Sequence, residues 1–356
     1  MYIMTIHTFE VSAMLTNENY YKIQEELKVQ DPSKWKATKN GMKYWGLSDK
    51  GILINMSQVK KKGFYSYHIM YRISARRVIE NDNFVGLFHA KKYDVLEDEV
   101  NRILKEKCSL LPKLKKCNLR RLDFCINAKL DSQEQVKAYI KTIKRGNVPG
   151  KLELYEQYDK ISKRKKPTKE DFTVYSSEYV AVSIYNKYME MKKEKAGAFP
   201  PSEIERAKNI VRIEIRCMEG KINALKKKHH IESISDFMGK ANKIGNELYH
   251  FYLSRMFNQG TIYTLRDALE RVDNSGYKPE NINLLKEFLR EANASRSVAE
   301  TFKIYKNIYG KKELKRLIFM LDNIDTNYVT ITNTDGKLFD NGYIPTPLEL
   351  YKEFSK

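Results

Sequence analysis

Hydrophobic and polar residues in the first half of the chain follow the periods of both strands and helices. Residues 1–15 alternate with a period of two, which predicts a first strand. Residues 42–58 predict a hairpin that turns at Ser48–Gly51, and the segment beginning at Phe64 predicts a further strand. Elsewhere apolar residues recur every three or four positions, which predicts helices over 19–30, 93–107 and 132–145. Ser132 and Gln135 form a capping box at the start of the third helix.

The pattern changes character from about residue 221. Helical periodicity dominates there, over 221–258, 264–273, 280–293 and 297–322, until a strand-like tail at 328–340. The last helical stretch is predicted to break near Tyr309 and Gly310. Because the strands are separated by hairpins and irregular segments, they favour an antiparallel sheet. We therefore predict an α+β fold, with a largely antiparallel central sheet and flanking helices over 1–220 and a mostly helical C-terminal domain over 221–356.

Three further strands each have one apolar face and one polar face. They are 119–127 (LRRLDFCIN), 180–187 (VAVSIYNK) and 209–217 (NIVRIEIRC). Because alternate residues of a strand share a face, the polar faces collect two carboxylates, one tyrosine and several cations. Antiparallel sheets often expose one polar face to water, so these residues also fit an ordinary surface. The same set contains what metal-assisted phosphoryl transfer requires, namely oxygen ligands, a nucleophile and charge neutralisation.

The composition favours a nucleic-acid partner. The chain has 65 Lys and Arg against 45 Asp and Glu, a net charge of +20, and cationic surfaces bind phosphate backbones by releasing counterions. An AT-rich genome, which enriches Lys, Asn, Ile and Tyr, would raise the charge without any such partner. No apolar run approaches the ~18 residues of a membrane-spanning helix, and the 4 cysteines lack the spacing of a disulfide framework or a zinc site. We therefore expect a cytoplasmic protein with reduced cysteines and no membrane partner.

The order of the polar motifs resembles that of a known group of proteins. Arg121–Asp123, then Ile184–Lys187 with Glu190, then Val211–Arg216 follow one another as in the gene II replication initiators of filamentous phages. The chain is also similar to the staphylococcal plasmid initiators, and the resemblance covers roughly residues 64–225. It implies an enzyme that nicks one DNA strand at an origin through a 5′-phosphotyrosine intermediate and so starts rolling-circle replication of a phage or plasmid. Its partners would be origin duplex and single-stranded DNA, with a host helicase as a further candidate.

The resemblance also assigns roles to individual residues. Tyr185 matches the nucleophilic tyrosine of these initiators. Asp123 and Glu214 match acidic strand positions that would hold Mg²⁺ or Mn²⁺. Lys187 and Arg212 would neutralise charge on the scissile phosphate, as cations do in phosphoryl transfer generally.

Several assignments have alternatives. This chain has Met70 where the initiators carry a glutamate, and His68, two residues earlier on the same strand face, is the candidate third metal ligand. Asp123 beside Arg121 also fits a simple ion pair across the sheet. Other tyrosines close to the motif compete with the assigned nucleophile, namely Tyr175, Tyr179 and Tyr188. Among these, Tyr179 is the next candidate.

Basic residues supply the candidate DNA contacts. In the sheet these are Arg121 and Arg216. Beyond the predicted break in the last helical stretch lies a basic cluster that suits a phosphate backbone or major groove, and equally a solvated helix face: Lys311, Lys312, Lys315 and Arg316. The run Lys163–Lys166 fits a loop on the phosphate backbone or a bare solvated loop. Two alternatives to a replication initiator stay open, a non-catalytic basic DNA-binding replication accessory and a conjugative relaxase.

Overall fold

The strands of the protein form one antiparallel sheet. The computed structural model describes residues 4–61, 63–80, 83–148, 152–154, 171–193, 198–295 and 297–354. Within these ranges the strand order is β2-β3-β4-β5-β1-β7-β11-β10-β9-β8, and β6 pairs with the start of β1. The strands are β1 (Thr5–Leu15), β2 (Trp35–Thr38), β3 (Gly41–Tyr44), β4 (Ile52–Lys61), β5 (Phe64–Ser74), β6 (Phe88–His89), β7 (Asn118–Lys129), β8 (Glu153–Leu154), β9 (Phe172–Ser176), β10 (Val180–Asn186) and β11 (Ile210–Cys217).

Helices flank this sheet and dominate the chain after β11. They are α1 (Asn17–Gln30), α2 (Ala75–Ile79), α3 (Tyr93–Lys107), α4 (Gln133–Ile143), α5 (Lys187–Lys192), α6 (Pro201–Arg206), α7 (Glu219–His229), α8 (Ile234–Met256), α9 (Leu265–Asp273), α10 (Pro279–Ala294), α11 (Val298–Asn323), α12 (Asn333–Gly336) and α13 (Pro347–Phe354). Among the residues described, no helix is both long and apolar enough to cross a membrane. The α+β class and the antiparallel sheet are as predicted.

Local sequence signals account for several element boundaries. In α4 the Ser132 hydroxyl accepts a hydrogen bond from the Gln135 amide at 3.1 Å, and the Gln135 side chain accepts one from the Asp131 amide at 2.9 Å. These bonds satisfy N–H groups that a helix start leaves without partners. The predicted break in the last helical stretch is also confirmed, because Gly310 inside α11 has a φ of 83°. A residue with a side chain adopts that conformation at a cost, which explains why a glycine lies there.

Other predictions of local structure need correction. The stretch 221–258 is helical as predicted and consists of two helices, α7 and α8, separated where His230 adopts a left-handed conformation with a φ of 50°. In the described chain the tail at 328–340 forms a single isolated bridge, from Ile331 to Thr264, and contains the short helix α12, which Thr332 caps. Ile304, within the predicted helical stretch 297–322, is 42% exposed. The basic run Lys163–Lys166 lies outside the described residues.

One hydrophobic core runs through both predicted domains. Helix α8 crosses the apolar face of the sheet, where the Tyr249 hydroxyl donates to the Ile213 carbonyl oxygen at 2.8 Å. Tyr351 of α13 stacks on the Tyr249 ring with centroids 4.5 Å apart. A single cluster of buried residues in contact therefore includes residues from Met4 in the first part to Tyr351 in the second. The boundary predicted at residue 220 marks a change from strands to helices, but the two parts share a core.

Candidate active site

Three neighbouring strands bring the polar motifs together on one sheet face. β7, β11 and β10 are adjacent, with Asp123 opposite Arg216, Glu214 opposite Ser183, and Tyr185 opposite Arg212. Residues that face each other in an antiparallel pair have Cβ atoms only ~4.5–5.5 Å apart. The motifs are distant in the sequence, so pairing of the strands assembles the site. Asp123, Arg212 and Glu214 are buried, although each carries a charge.

A bulge in β1 adds a histidine to this group. Ile6 pairs with Phe124 and Phe9 pairs with Leu122, so His7 and Thr8 together lie opposite Asp123. Such bulges redirect side chains and are frequent next to active sites. One potential ligand atom from each of His7, Asp123 and Glu214 lies within 4.8 Å of the others. We call these three residues the His-Asp-Glu cluster.

The hydrogen bonds of the cluster leave lone pairs available for a cation. Arg121 forms a fork on Asp123, with Nε 2.9 Å from Oδ1 and Nη2 2.6 Å from Oδ2, and Arg216 Nε lies 3.2 Å from Oδ1. Because a carboxylate oxygen has two lone pairs, Oδ2 keeps one. On Glu214, the nearby His7 Nδ1 lies 3.3 Å from Oε1. Arg216 Nη2 is 3.8 Å from Oε2, too far for a hydrogen bond.

The donor set of the cluster fits a divalent cation of the first transition row or Mg²⁺. Two carboxylates are the hard oxygen ligands that Mg²⁺ and Mn²⁺ prefer, and an imidazole nitrogen shifts the preference towards Mn²⁺. The ion pair of Asp123 with Arg121, the alternative raised by the sequence, is present as well. The two are compatible, because one lone pair of Asp123 and those of Glu214 Oε2 remain for a metal.

Tyr185 is the tyrosine that touches the cluster. Its hydroxyl donates to Glu214 Oε1 at 2.8 Å. Burial, followed by the charge of Glu214, raises the pKa of the Tyr185 phenol well above its ordinary value. Burial alone would also raise the pKa of Glu214, but its contact with His7 and the charge of Arg212 hold that pKa well below the usual range. In this arrangement the phenol is protonated and its proton is directed at an ionised carboxylate.

The competing tyrosines have other surroundings. Tyr175 is buried, and its hydroxyl donates to the Lys144 carbonyl oxygen at 3.4 Å. Tyr179 is 52% exposed, and its ring packs beside Gly220 at the start of α7. The ring of Tyr188, on α5, has the ammonium group of Lys192 4.5 Å from its centroid. Neither hydrogen bonds nor ion pairs join any of the three to the His-Asp-Glu cluster among the residues described.

Two buried cations lie beside Tyr185. Arg212 is fully buried; its Nε donates to Asn127 Oδ1 at 2.7 Å and its Nη2 to the Val85 carbonyl oxygen at 2.5 Å. Its Nη1 has no hydrogen-bond partner in the described chain. Lys187, also buried, contacts Glu190 at 2.7 Å. Buried donors are normally satisfied, so the unpaired Nη1 of Arg212, which is closed off from solvent, is an exception.

Cavities open on both sides of these groups. A cleft of about 680 Å³ is lined by Tyr185, Glu214, Arg216 and Glu190 among others. A smaller cavity of about 160 Å³ is lined by His7, Lys187 and, again, Glu190. The large cleft therefore borders the Tyr185 side chain and, at Glu214, one side of the cluster.

His68 does not join the cluster. It lies on β5, where it pairs with Met14 near the far end of β1, and its Nε2 is 3.0 Å from the Ser66 hydroxyl. His7 and Met14 are seven residues apart on one strand, which corresponds to about 23 Å at ~3.3 Å per residue. Among the described residues, His7 and not His68 is therefore the third potential ligand beside Asp123 and Glu214. The only signal for His7 in the sequence is a histidine within the first apolar strand, because the bulge that turns it towards Asp123 depends on pairing with β7.

The residues predicted to contact DNA differ in whether they already form ion pairs within the protein. Arg121 and Arg216 are engaged with Asp123, although Arg216 is about one-third exposed and borders the large cleft. On α11, Lys311, Lys312 and Lys315 are exposed. Arg316 is bound to its own helix, with Nε 2.9 Å from Glu313 Oε2. Within the described residues, the cluster on α11 thus offers three cations without an ion pair, where the sequence predicted four.

Comparisons with known proteins do not identify the chain. No protein-family model, no curated protein and no solved structure matches it. The resemblance to rolling-circle initiators therefore rests on the motifs quoted above and stays a prediction. The residues of the site itself carry the functional argument.

Proposed function

We propose that this protein is a DNA nicking-closing enzyme that uses Tyr185 as its nucleophile and a divalent cation as its cofactor, and that it starts rolling-circle replication of a phage or plasmid. The observation that carries the proposal is the 2.8 Å hydrogen bond from the Tyr185 hydroxyl to Glu214, a member of the His-Asp-Glu cluster. A tyrosine and a potential metal site that border one cleft, with two buried cations nearby, are the components of tyrosine-mediated phosphoryl transfer. The net charge of +20 supports a polyanionic substrate.

Each residue of the site has its own role in the proposed reaction. In the nicking step the Tyr185 oxygen passes its proton to Glu214 and bonds to the scissile phosphorus. The bond from phosphorus to the 3′ oxygen breaks, and the 3′ oxygen takes up that proton through solvent and leaves as a hydroxyl. Glu214 Oε1 orients the phenol by accepting its hydrogen bond. Arg212 and Lys187 supply positive charge near the phosphate. A cation held by His7, Asp123 and Glu214 would polarise the phosphate oxygens, and closing is the reverse of nicking.

The direct test is a covalent adduct. Supercoiled plasmid carrying the DNA that adjoins the coding sequence is incubated with the protein and Mn²⁺ or Mg²⁺. We expect open-circular product and a protein–DNA adduct that survives SDS, and the loss of both in Tyr185→Phe, because phenylalanine keeps the ring and removes the nucleophilic oxygen. Tyr179→Phe is the matched control and should retain activity, since that tyrosine lies away from the cluster. An adduct that persists in Tyr185→Phe would refute the assignment.

One observation favours a second candidate, a non-catalytic DNA-binding replication accessory. Arg121 and Arg216 already neutralise Asp123, and a complete ion-pair network requires no metal. This candidate predicts DNA binding without nicking or adduct in the wild-type protein under all metal conditions. The plasmid assay therefore separates the two.

A further inference from the structure

A basic groove lies at the opposite end of β1 from the His-Asp-Glu cluster. It has a volume of about 640 Å³ and is bordered by the end of β1, by α3 and by the segment 109–116. Its lining includes four lysines, namely Lys105, Lys113, Lys115 and Lys116. We call it the four-lysine groove. It shares no residue with the candidate active site.

The charges of the groove are not compensated locally. In the part of the chain that the structure describes, its lining contains no aspartate or glutamate. All four lysines are exposed, and none forms an ion pair within the described ranges. Glu97 is close enough to Lys115 for their charges to interact, but it does not line the groove. Four like charges around one concavity repel one another, so the groove favours a multivalent anion.

The residues that line the groove also favour duplex over single-stranded nucleic acid. Proteins that bind single strands combine basic residues with aromatic side chains on which bases stack. Among the described residues, no aromatic side chain lines this groove, although Met14, 72% exposed, and Leu110 do. Lysine ammonium groups without a stacking surface recognise the phosphate backbone and not the bases. The partner that fits is the backbone of a DNA duplex.

The position of the groove relates it to the active site. β1 runs from His7 in the cluster to Met14 in the groove, about 23 Å at ~3.3 Å per residue. That length equals about seven steps of duplex DNA at ~3.4 Å each. We infer that the four-lysine groove binds the phosphate backbone of duplex DNA that flanks the nicking site. This inference rests on the proposed function for the identity of the DNA, but it is tested by binding alone.

The test is the salt dependence of binding to a random-sequence 30-base-pair duplex, measured by fluorescence anisotropy between 50 and 200 mM NaCl. Each neutralised phosphate contributes about 0.9 to the slope of log K against log salt. The variant with all four groove lysines changed to glutamine should lose about 2 to 3.6 units of slope. If the slopes differ by 3.6, raising the NaCl concentration from 50 to 200 mM increases the wild-type Kd by a factor about 150 times larger than the factor for the variant.

A matched variant controls for the loss of net charge. Lys137, Lys278, Lys337 and Lys352 are exposed lysines outside the groove lining, and changing these four to glutamine should reduce the slope by less than one unit. A groove variant whose slope falls no further than that of the control overturns the inference. A reduced slope with a single-stranded 30-mer but not with the duplex overturns the choice of duplex DNA.

A measurement without substitutions guards against misfolded variants. Wild-type protein is acetylated at lysine with and without the duplex, and the modified sites are read by mass spectrometry. Protection of the four groove lysines, with Lys137 and Lys278 still modified, supports the inference, and equal modification with and without DNA contradicts it. Tyr185→Phe should show the same slope and protection as wild type, so a failure of the nicking proposal is distinguishable from a failure of this one.

Discussion

The first prediction tests whether His7 is a metal ligand, a role that depends on the β-bulge in β1. His7→Gln removes the imidazole from the His-Asp-Glu cluster and keeps a polar side chain of similar length. The His7 side chain is 28% exposed, and its contact with Glu214 is 3.3 Å long. We therefore expect little loss of stability in metal-free protein. The effect should appear on metal binding.

The magnitude follows from binding linkage. A ligand present at 100 times its Kd stabilises the native state by about 2.7 kcal/mol. For a chain of 356 residues, the entropy of unfolding per residue converts this energy to a rise in Tm of roughly 4 °C. Loss of even an outer-shell partner weakens metal affinity about 10–100-fold, so loss of a ligand should cost at least as much. At the same Mn²⁺ concentration, the Tm of His7→Gln should rise by about 2 °C or less.

The assay is thermal unfolding of EDTA-treated protein against Mn²⁺ concentration. Mn²⁺ is the probe because it accepts both imidazole and carboxylate ligands. His68→Gln is the matched control, since His68 contacts Ser66 and lies away from the cluster; it should respond to Mn²⁺ as wild type does. The reasoning is refuted if wild type shows no Mn²⁺-dependent rise, or if His68→Gln loses the rise and His7→Gln keeps it.

Three further predictions follow from the charges of the site and of α11. Asp123→Asn leaves Arg121 and Arg216 short of a buried partner, a kind of change that costs about 3–5 kcal/mol. Because Glu10 still binds Arg121, we expect a loss of about 2–3 kcal/mol in urea unfolding, whereas the control Glu18→Gln, at an exposed ion pair, should leave stability nearly unchanged. Burial, followed by the charge of Arg212, lowers the pKa of Lys187 below 10.5 in the folded protein, so the unfolded chain binds this proton more tightly. Wild type should therefore gain stability relative to Lys187→Met as the pH rises towards 10.5. A stability difference that stays constant in urea unfolding at pH 8, 9 and 10 would contradict this. Changing Lys311, Lys312 and Lys315 to glutamine should lower the salt slope of duplex binding by up to about 2.7 units if α11 contacts DNA, whereas Arg316→Gln should leave it unchanged because Arg316 is bound to Glu313.

Much of the local structure could be predicted because its causes are local. The Ser132 cap, the break at Gly310 and the apolar faces of α1 and α4 depend on residues within a few positions of each other. The polar faces of β7, β10 and β11 follow from the period of two, so Asp123, Tyr185 and Glu214 could be assigned to one kind of face. The sequence alone did not establish that these strands are neighbours.

The tertiary structure decided which of these residues meet and how each is used. His7 joins Asp123 because strand pairing places a bulge in β1, and no pattern along the chain encodes that register. Tyr185 is distinguished from Tyr175, Tyr179 and Tyr188 by its bond to Glu214, across a strand pair that joins residues 29 positions apart. The four-lysine groove likewise combines α3, the end of β1 and the segment 109–116. By itself the sequence determined the elements, their faces and the excess of positive charge, because periodicity and composition are properties of the chain. The site and the groove required the fold, because they are made of contacts between segments distant in sequence.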